Sequence, residues 1–277
     1  MHSPSQYFTI FIFACLCLDA RFTHSAEPEQ NVDFRYNDFA TNPLISHKER
    51  KAIKPFLLSA FHPLKPILDD IFLSQRATLN TETLIAAGFR IEFSRQRSYI
   101  QVVSHPLIPG YLLKLYLDSE ARLKLGIPGW KWFSRRALGA KKLRNCIAKH
   151  KLQHFVAPHK WIYVLPLNPS VPKDPLYTQK NEILIVEDME LVSPEENLHA
   201  WKEKITREHL DELYIILKEA GGASYRADNI AYTRKGQFAF IDTEYPNDKP
   251  DYEHVRDNLS PEMAKYWMQL VNGKKSR

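Results

Sequence analysis

The sequence predicts an α+β fold, because segments with strand-like and helix-like patterns occupy separate parts of the chain. Three short runs rich in β-branched and aromatic residues cluster between residues 89 and 117. Apolar residues at helical spacing dominate between residues 194 and 220. A hairpin pattern follows, in which a turn containing Gly236 separates two short apolar segments. The 277 residues are 44% hydrophobic, which excludes a disordered protein and allows one large domain or two lobes.

The first 26 residues differ in composition from the rest of the chain. Residues 7–18 form a nearly unbroken apolar run, which is too short to span a bilayer. Such a run is typical of a signal peptide, here cleaved near Ser25 or Ala26, although no Lys or Arg precedes it. It predicts a secreted or extracytoplasmic protein with no transmembrane span in the mature chain. A buried or interfacial N-terminal helix is the alternative.

The remaining elements are predicted from periodicity and from start and stop signals. Residues 27–88 form a helical extension, in which residues 81–88 are a short helix that ends on Gly88. Ser134 is the expected N-cap of a long helix at residues 134–152, and Thr206 that of a helix at residues 207–220. Further helices are predicted at residues 49–61, 66–76, 195–205 and 251–271. Strands are predicted at residues 89–93, 98–104, 111–117, 160–165, 182–187, 230–233 and 238–241.

Residues 121–173, the basic stretch, contain twelve Lys and Arg residues and no Asp or Glu. Because the whole chain carries a net charge of +6, the remainder carries a net charge of −6. A region with this charge can face an anionic ligand, a lipid headgroup or a polyanion such as a nucleic acid. The alternative is a solvated helix face whose counter-charges come from the acidic remainder.

Cysteine and histidine give weaker indications of chemistry. Cys146 is the one cysteine that remains after removal of the leader, which excludes an internal disulfide. Its helical setting favours a packed residue over a catalytic thiol. His150, His154 and His159 could share a metal, but the sequence suggests no Glu or Cys that completes a zinc set with them.

The predicted hairpin carries oxygen ligands at both of its ends. Asn229 directly precedes the first strand and Asp242 directly follows the second. Because the two strands run antiparallel, the side chains of these two residues should lie side by side. A carboxamide and a carboxylate oxygen suit a hard cation such as Mg²⁺, which usually also contacts substrate phosphates. A surface hairpin whose ends are merely polar is the alternative.

The order of these elements resembles the protein-kinase-like superfamily, over roughly residues 89–245. Lys114, inside the apolar third strand, matches the lysine that holds the ATP α- and β-phosphates. Asn229 and Asp242, separated by 13 positions, match the catalytic-loop Asn and the metal-binding Asp of that family. The resemblance implies a bilobal fold with a small antiparallel-sheet N-lobe at residues 89–187 and a reduced, mainly helical C-lobe at residues 188–277. Backbone groups of residues 186–189 would contact adenine.

The chain also departs from the pattern of that family. Ser224 stands where the catalytic base is expected, and a serine hydroxyl is a poor base. The glycine-rich phosphate loop is absent, so Arg95 or Arg97 would bind phosphate by charge. The helix expected to offer Lys114 a Glu lies in the basic stretch, which leaves Glu120 as the nearest substitute. Lys114 exposed on the polar face of a sheet is the alternative to a phosphate contact.

Asp228 is the candidate catalytic base, because it forms with Asn229 a pair similar to that of the selenoprotein O pseudokinases, which transfer AMP. A surface-loop carboxylate is the alternative. The leading hypothesis is a secreted, atypical kinase-like protein that binds ATP and Mg²⁺ and transfers a phosphoryl or nucleotidyl group. The second is an inactive pseudokinase whose basic stretch docks an anionic partner or membrane. The third is an unrelated basic binding module.

Overall fold

The computed structural model describes residues 36–95, 98–167, 169–222 and 225–273. The predicted signal peptide at residues 1–26 lies outside the described residues, as do Arg97 and Ser224. Within the described ranges, no helix has the length and apolar character needed to cross a membrane.

The structure confirms the predicted α+β class. Its strands are β1 (Arg90–Arg95), β2 (Ile100–Ser104), β3 (Tyr111–Leu115), β4 (Phe155–Val156), β5 (Lys160–Val164), β6 (Glu182–Glu187), β7 (Ile230–Tyr232) and β8 (Phe238–Phe240). Its helices are α1 (Tyr36–Thr41), α2 (His47–Ile53), α3 (Leu64–Ser74), α4 (Thr81–Ala86), α5 (Gly129–His150), α6 (Pro194–Glu203), α7 (Arg207–Ala220), α8 (Glu253–Arg256) and α9 (Pro261–Gly273).

The larger sheet has five strands in the order β1-β2-β3-β6-β5, and every neighbouring pair is antiparallel. One face packs against α3 and α4 through residues such as Leu68, Phe72 and Leu84. The other face packs against α5 through Phe133 and Ala137. The β3 strand lies in the middle of the sheet, where Lys114 is opposite Val102 on β2 and Leu184 on β6.

The smaller sheet contains the predicted hairpin. Strands β7 and β8 pair antiparallel, and β4 adds to β8 in parallel. Helices α6, α7 and α9 pack around this sheet in one apolar cluster, which includes Trp201, Phe238 and Trp267. Strand β4 was not predicted, because two residues are too few to show an alternating pattern.

Helix α5 begins at Gly129, one turn earlier than predicted, and Ser134 is not its N-cap. The hydroxyl of Ser134 donates instead to the Trp130 carbonyl, one turn back within the helix. Trp132 and Phe133 are almost fully buried, so the apolar face of the helix already begins in this first turn. By contrast, Thr206 caps α7 as predicted, since its hydroxyl accepts from the His209 amide.

A buried charged network fixes the end of β3. Arg76 donates to both carboxylate oxygens of Asp118, at 2.9 and 3.0 Å. The same carboxylate accepts from the Thr78 hydroxyl at 2.9 Å and from the Lys180 amide at 2.7 Å. Asp118 has no exposed surface, so these donors, and not water, stabilise its negative charge.

Candidate functional site

A cleft of about 800 Å³ lies between the larger sheet and the β7–β8 hairpin. Its size is that of pockets that hold small-molecule ligands and cofactors. One part of its wall is apolar and is formed by Ile100, Val102, Leu112, Val186, Met189 and Leu198, among others. Another part is ionic and includes Lys114, Lys124, Arg136, Asp228, Asn229 and Asp242. The cleft can therefore accommodate a ligand with one flat apolar end and one anionic end.

Four of the site residues predicted from sequence line this cleft together: Lys114, Asp228, Asn229 and Asp242. The segment 186–189, expected at the adenine end, also lines the cleft. The amides of Glu187 and Asp188 are already bonded, to His159 and Gly110 carbonyls. The Met189 amide makes no hydrogen bond to the chain as far as the structure describes it, so it can donate to a ligand.

Strand alternation brings Lys114 to the cleft. Leu113 and Leu115 are fully buried in the core on one face of β3. Leu112 and Lys114 therefore point to the other face, and both line the cleft. The lysine is directed toward the hairpin and not to bulk solvent, and it lies close enough to Asp242 to lower the pKa of that carboxyl.

The hairpin brings Asn229 and Asp242 together as predicted. Ile230 pairs with Phe240, and the Ile241 amide donates to the Asn229 carbonyl at 2.9 Å, which extends the ladder beyond the strands. Asn229 is 4% exposed and the side chain of Asp242 is 17% exposed, so both are held in a largely desolvated wall. Their geometry results from backbone pairing and not from a flexible loop.

Arg136 of α5 is a charged partner of Asp242. Its Nε lies 3.4 Å from Asp242 Oδ1, and its Nη2 donates to Glu244 Oε2 at 2.6 Å. Burial alone would raise the pKa of Asp242, but Arg136, followed by Lys114, Lys160 and Lys124, holds it well below its ordinary value. Asp242 is therefore ionised throughout the physiological pH range.

Two lysines complete this ionic cluster. Lys124 Nζ donates to Glu244 Oε1 at 2.6 Å. Lys160 is buried behind Asp242, where it donates to the Ile241 carbonyl at 3.1 Å and to the Thr243 hydroxyl at 3.0 Å. Burial, followed by repulsion from Lys114, lowers the pKa of Lys160 well below its ordinary value, while Asp242 opposes that shift.

A glycine permits the close approach of α5 to this cluster. A Cβ atom on Gly139 would lie 2.3 Å from the Thr243 carbonyl oxygen, a distance that no side chain tolerates. The Thr243 hydroxyl in turn donates to the Arg136 carbonyl at 2.6 Å. The backbones of α5 and of the segment after β8 are thus in contact where the carboxylates of Asp242 and Glu244 meet the guanidinium of Arg136.

Asp228, the candidate base, is half exposed and lines the cleft. Its Oδ2 accepts from Arg226 Nη2 at 3.0 Å. Arg226 therefore occupies one oxygen of this carboxylate.

Glu120, the predicted partner of Lys114, does not line the cleft; its carboxylate accepts from Arg122 Nε and Nη2, at 2.7 and 2.6 Å. The side-chain hydrogen bond with Arg122 is the main reason why the pKa of Glu120 is lowered. Arg95 is the last residue of β1, where its backbone pairs with Ile100.

Much of the basic stretch faces inward. Lys124, Arg136 and Lys160 donate to side chains of the segment after β8. Elsewhere Arg144 and Lys142 donate to the carbonyls of Pro158 and Pro246. Lys124 and Arg136, which line the cleft, and Lys160 were not singled out from sequence, although the absence of acidic residues in residues 121–173 pointed to the region.

The histidines of the basic stretch do not converge on one point. His154 pairs with Glu212, whereas His150 pairs with Glu219. One of them, His150, has ligand atoms of a Cys and a Glu nearby, since those of Cys146, His150 and Glu219 lie within 4.8 Å of one another. Both Glu219 oxygens are already bound, one by Lys149 and one by His150, and burial raises the pKa of the Cys146 thiol. Cys146 itself is a packed core residue, as predicted.

The donors of the cleft fit a hard divalent cation in their chemistry. Asn229 offers a carboxamide oxygen and Asp242 an ionised carboxylate, on one rigid wall.

Comparisons with protein-family models, with curated proteins and with solved structures find no match to this chain.

Proposed function

We propose that this chain is a secreted, atypical kinase-like protein that binds ATP and Mg²⁺ in the cleft. The observation that supports this most directly is the convergence of Lys114, Asn229 and Asp242, from separate parts of the chain, on one cavity. In the proposed bilobal arrangement the five-stranded sheet belongs to the N-lobe, and helices α6 to α9 with the β7–β8 hairpin form the reduced C-lobe. Secretion rests on the apolar run at residues 7–18.

Each part of the nucleotide has a matching part of the wall. The base would lie between Val102 or Leu112 and the side of Leu198, and the Met189 amide would donate to its edge. Lys114 would contact the phosphates, because β3 directs its ammonium into the cleft. Asn229 and Asp242 would hold Mg²⁺, which supplies charge neutralisation at the transferring phosphates.

The proposed reaction is transfer of a phosphoryl or nucleotidyl group to an acceptor whose identity the cleft does not define. Asp228 is the candidate base, since its carboxylate borders the cleft beside Asn229. The acceptor hydroxyl would have to compete with Arg226 for that carboxylate.

The second candidate function is nucleotide binding without transfer, as in a pseudokinase. The ion pair between Arg226 and Asp228 favours it, because Arg226 occupies a carboxylate oxygen that an acceptor hydroxyl would have to reach. The pseudokinase hypothesis also includes docking of an anionic partner or membrane on the basic stretch. It has less support, because Lys124, Arg136 and Lys160 are engaged inside the protein.

Thermal-shift titration with ATP and MgCl₂ tests the proposal. We expect the wild type and the control Glu203→Ala, on the exposed face of α6, to be stabilised, and Asp242→Ala not to be. Absence of any shift in the wild type would contradict nucleotide binding. Transfer of label from γ- or α-labelled ATP then separates phosphorylation, nucleotidylation and inactivity. Loss of transfer in Asp228→Ala with binding retained would support Asp228 as the base.

A further inference from the structure

The cleft contains a histidine that no sequence motif singled out. His254 of α8 lines the same cavity as Asp228 and Asn229. The elements that carry these residues also pack together, since Ala227 and Val255 are buried in one apolar cluster. From sequence, α8 was predicted only as part of a helical tail. The structure thus adds an imidazole to the polar groups of the cleft.

The backbone around His254 is held on both sides. Its amide donates to Asp251 Oδ1 at 3.4 Å, and its carbonyl accepts from the Asn258 side chain at 2.9 Å. The indole of Trp267 on α9 donates to the Tyr252 carbonyl at 2.8 Å, which ties the start of α8 to a fully buried side chain. The imidazole is therefore attached to a fixed backbone, while about half of its surface stays accessible to a ligand.

Asp251 also faces the imidazole ring. Its Oδ2, which is not the oxygen that binds the backbone amide, lies 3.2 Å from His254 Nδ1. Because an ionised carboxylate only accepts hydrogen bonds, it favours the tautomer of the neutral ring that carries its proton on Nδ1. Nε2 then has a lone pair, and it makes no hydrogen bond within the described residues. The ring can therefore accept a proton from a ligand in the cleft.

We propose that the acceptor binds at the α8 end of the cleft and that His254, oriented by Asp251, takes the proton of its hydroxyl group. This inference rests on the proposed binding of ATP and Mg²⁺. It names a proton acceptor other than Asp228, one oxygen of which is occupied by Arg226.

The proposed step moves one proton to the imidazole. As the hydroxyl oxygen bonds to the attacked phosphorus, the bond from that phosphorus to the leaving phosphate oxygen breaks. The leaving group, ADP or pyrophosphate, keeps the electron pair of that bond, and the hydroxyl proton moves to His254 Nε2. Asp251 is a positioning residue, whose carboxylate holds the ring and stabilises the imidazolium that forms.

Hydrolysis of labelled ATP by the full chain in MgCl₂, with water as the acceptor, tests the inference. We expect His254→Gln to release labelled phosphate or AMP about a hundredfold more slowly than the wild type, a usual contribution of a general base. Its dissociation constant for ATP, measured by calorimetry, should stay within about threefold of the wild-type value. His199→Gln, at an exposed position of α6, is the matched control and should change neither quantity.

Two measurements distinguish catalysis from a merely structural role. Imidazole added to His254→Ala should restore part of the lost hydrolysis, and it should not accelerate the wild type. Nitrogen NMR of protein labelled at histidine should show the neutral His254 ring protonated at Nδ1. In Asp251→Asn, whose amide group can donate to Nδ1, the proton should move to Nε2 and hydrolysis should slow. An unchanged tautomer in this variant would remove Asp251 from its role.

The outcomes separate this inference from the proposal beneath it. Absence of ATP binding by the wild type would overturn the nucleotide site and this inference together. Binding without hydrolysis, or hydrolysis that His254→Gln does not slow, would overturn this inference and leave the nucleotide site intact. Failure of imidazole to restore any hydrolysis in His254→Ala would overturn the catalytic role of His254. Loss of hydrolysis in Asp228→Ala but not in His254→Gln would assign the proton to Asp228 instead.

Discussion

Nη2 of Arg136 lies 2.6 Å from Oε2 of Glu244, and both side chains are almost completely buried. Glu244 is also the partner of Lys124, so one carboxylate anchors two of the cations that border the cleft. The residue follows the predicted ligand Asp242 by two positions, yet sequence reasoning did not select it. Its role is to hold the cations that Asp242 faces.

Glu244→Gln should destabilise the fold by about 3 kcal/mol, because breaking a buried ion pair leaves an uncompensated charge. Urea unfolding followed by tryptophan fluorescence measures this change as a lower midpoint. Glu203→Gln, an exposed substitution of the same type, should leave the midpoint unchanged. Equal midpoints for the two variants would show that the Arg136–Glu244 pair contributes no net stability.

Gly139→Ala should lower the free energy of unfolding by about 1–3 kcal/mol, the usual cost of forcing an extra methyl group into a packed contact. The added Cβ would lie 2.3 Å from the Thr243 carbonyl oxygen, so α5 must move away from the segment 242–244. Gly273→Ala is the matched control, since a Cβ there meets nothing within 4 Å. We also expect weaker ATP binding in Gly139→Ala but not in the control, measured by calorimetry.

Asp118→Ala should cost about 3–5 kcal/mol of stability, because it leaves the guanidinium of Arg76 buried without its partner. The pair is joined by hydrogen bonds of 2.9 and 3.0 Å, and Asp118 has no exposed surface. Chemical denaturation with Glu203→Ala as control measures the loss. A change below 1 kcal/mol, as for a surface pair, would contradict this account.

The stability of the protein should decrease as the pH rises above about 5, owing to Glu182 on β6. Burial, followed by the neighbouring Glu49, raises the pKa of this carboxyl well above its ordinary value of 4.5. The folded protein therefore holds this proton more tightly than the unfolded chain does, so the free energy of unfolding falls with pH by up to about 1.4 kcal/mol per unit.

Glu182→Gln tests the origin of that pH dependence. The amide keeps the shape of the protonated carboxyl and cannot ionise. The free energy of unfolding of this variant should therefore fall less steeply between pH 5 and 8, by the contribution of about one titrating proton. Glu203→Gln should retain the slope of the wild type. Identical slopes in all three proteins, measured by urea unfolding at several pH values, would assign the dependence to another group.

Lys114→Met should weaken ATP binding by about tenfold without unfolding the protein, because the charge is lost while the apolar stem is retained. Calorimetric titration measures the dissociation constant, and Lys202→Met on exposed α6 is the control. Equal affinity in Lys114→Met and the wild type would remove Lys114 from the phosphate site.

Elements determined by local patterns could be predicted from the sequence. The apolar runs around Lys114 and on either side of Gly236 gave the correct strands, since alternation and turn residues are local signals. Pairing of these two hairpin strands then required Asn229 and Asp242 to be neighbours. The Thr206 cap was predicted for the same reason, because a capping side chain acts within one turn.

The partners of the site could not be predicted in this way. Arg136 and Asp242 are 106 positions apart, and their contact depends on how α5 docks against the hairpin. No local pattern distinguishes Arg136 from the neighbouring Arg135, whose guanidinium lies over the Trp132 ring. The start of α5 was misjudged because Ser134 has the residue type of a cap, whereas burial of Trp132 extends the helix.

Helix α5 belongs to two apolar clusters at once, which has a consequence for how the molecule comes apart. Phe133 and Ala137 pack under the larger sheet, whereas Leu143 and Cys146 pack with α7 and the smaller sheet. Loss of this one helix removes core from both sides of the cleft. We therefore expect heat and denaturant to unfold the described residues in a single cooperative transition, with no intermediate that retains half of the molecule.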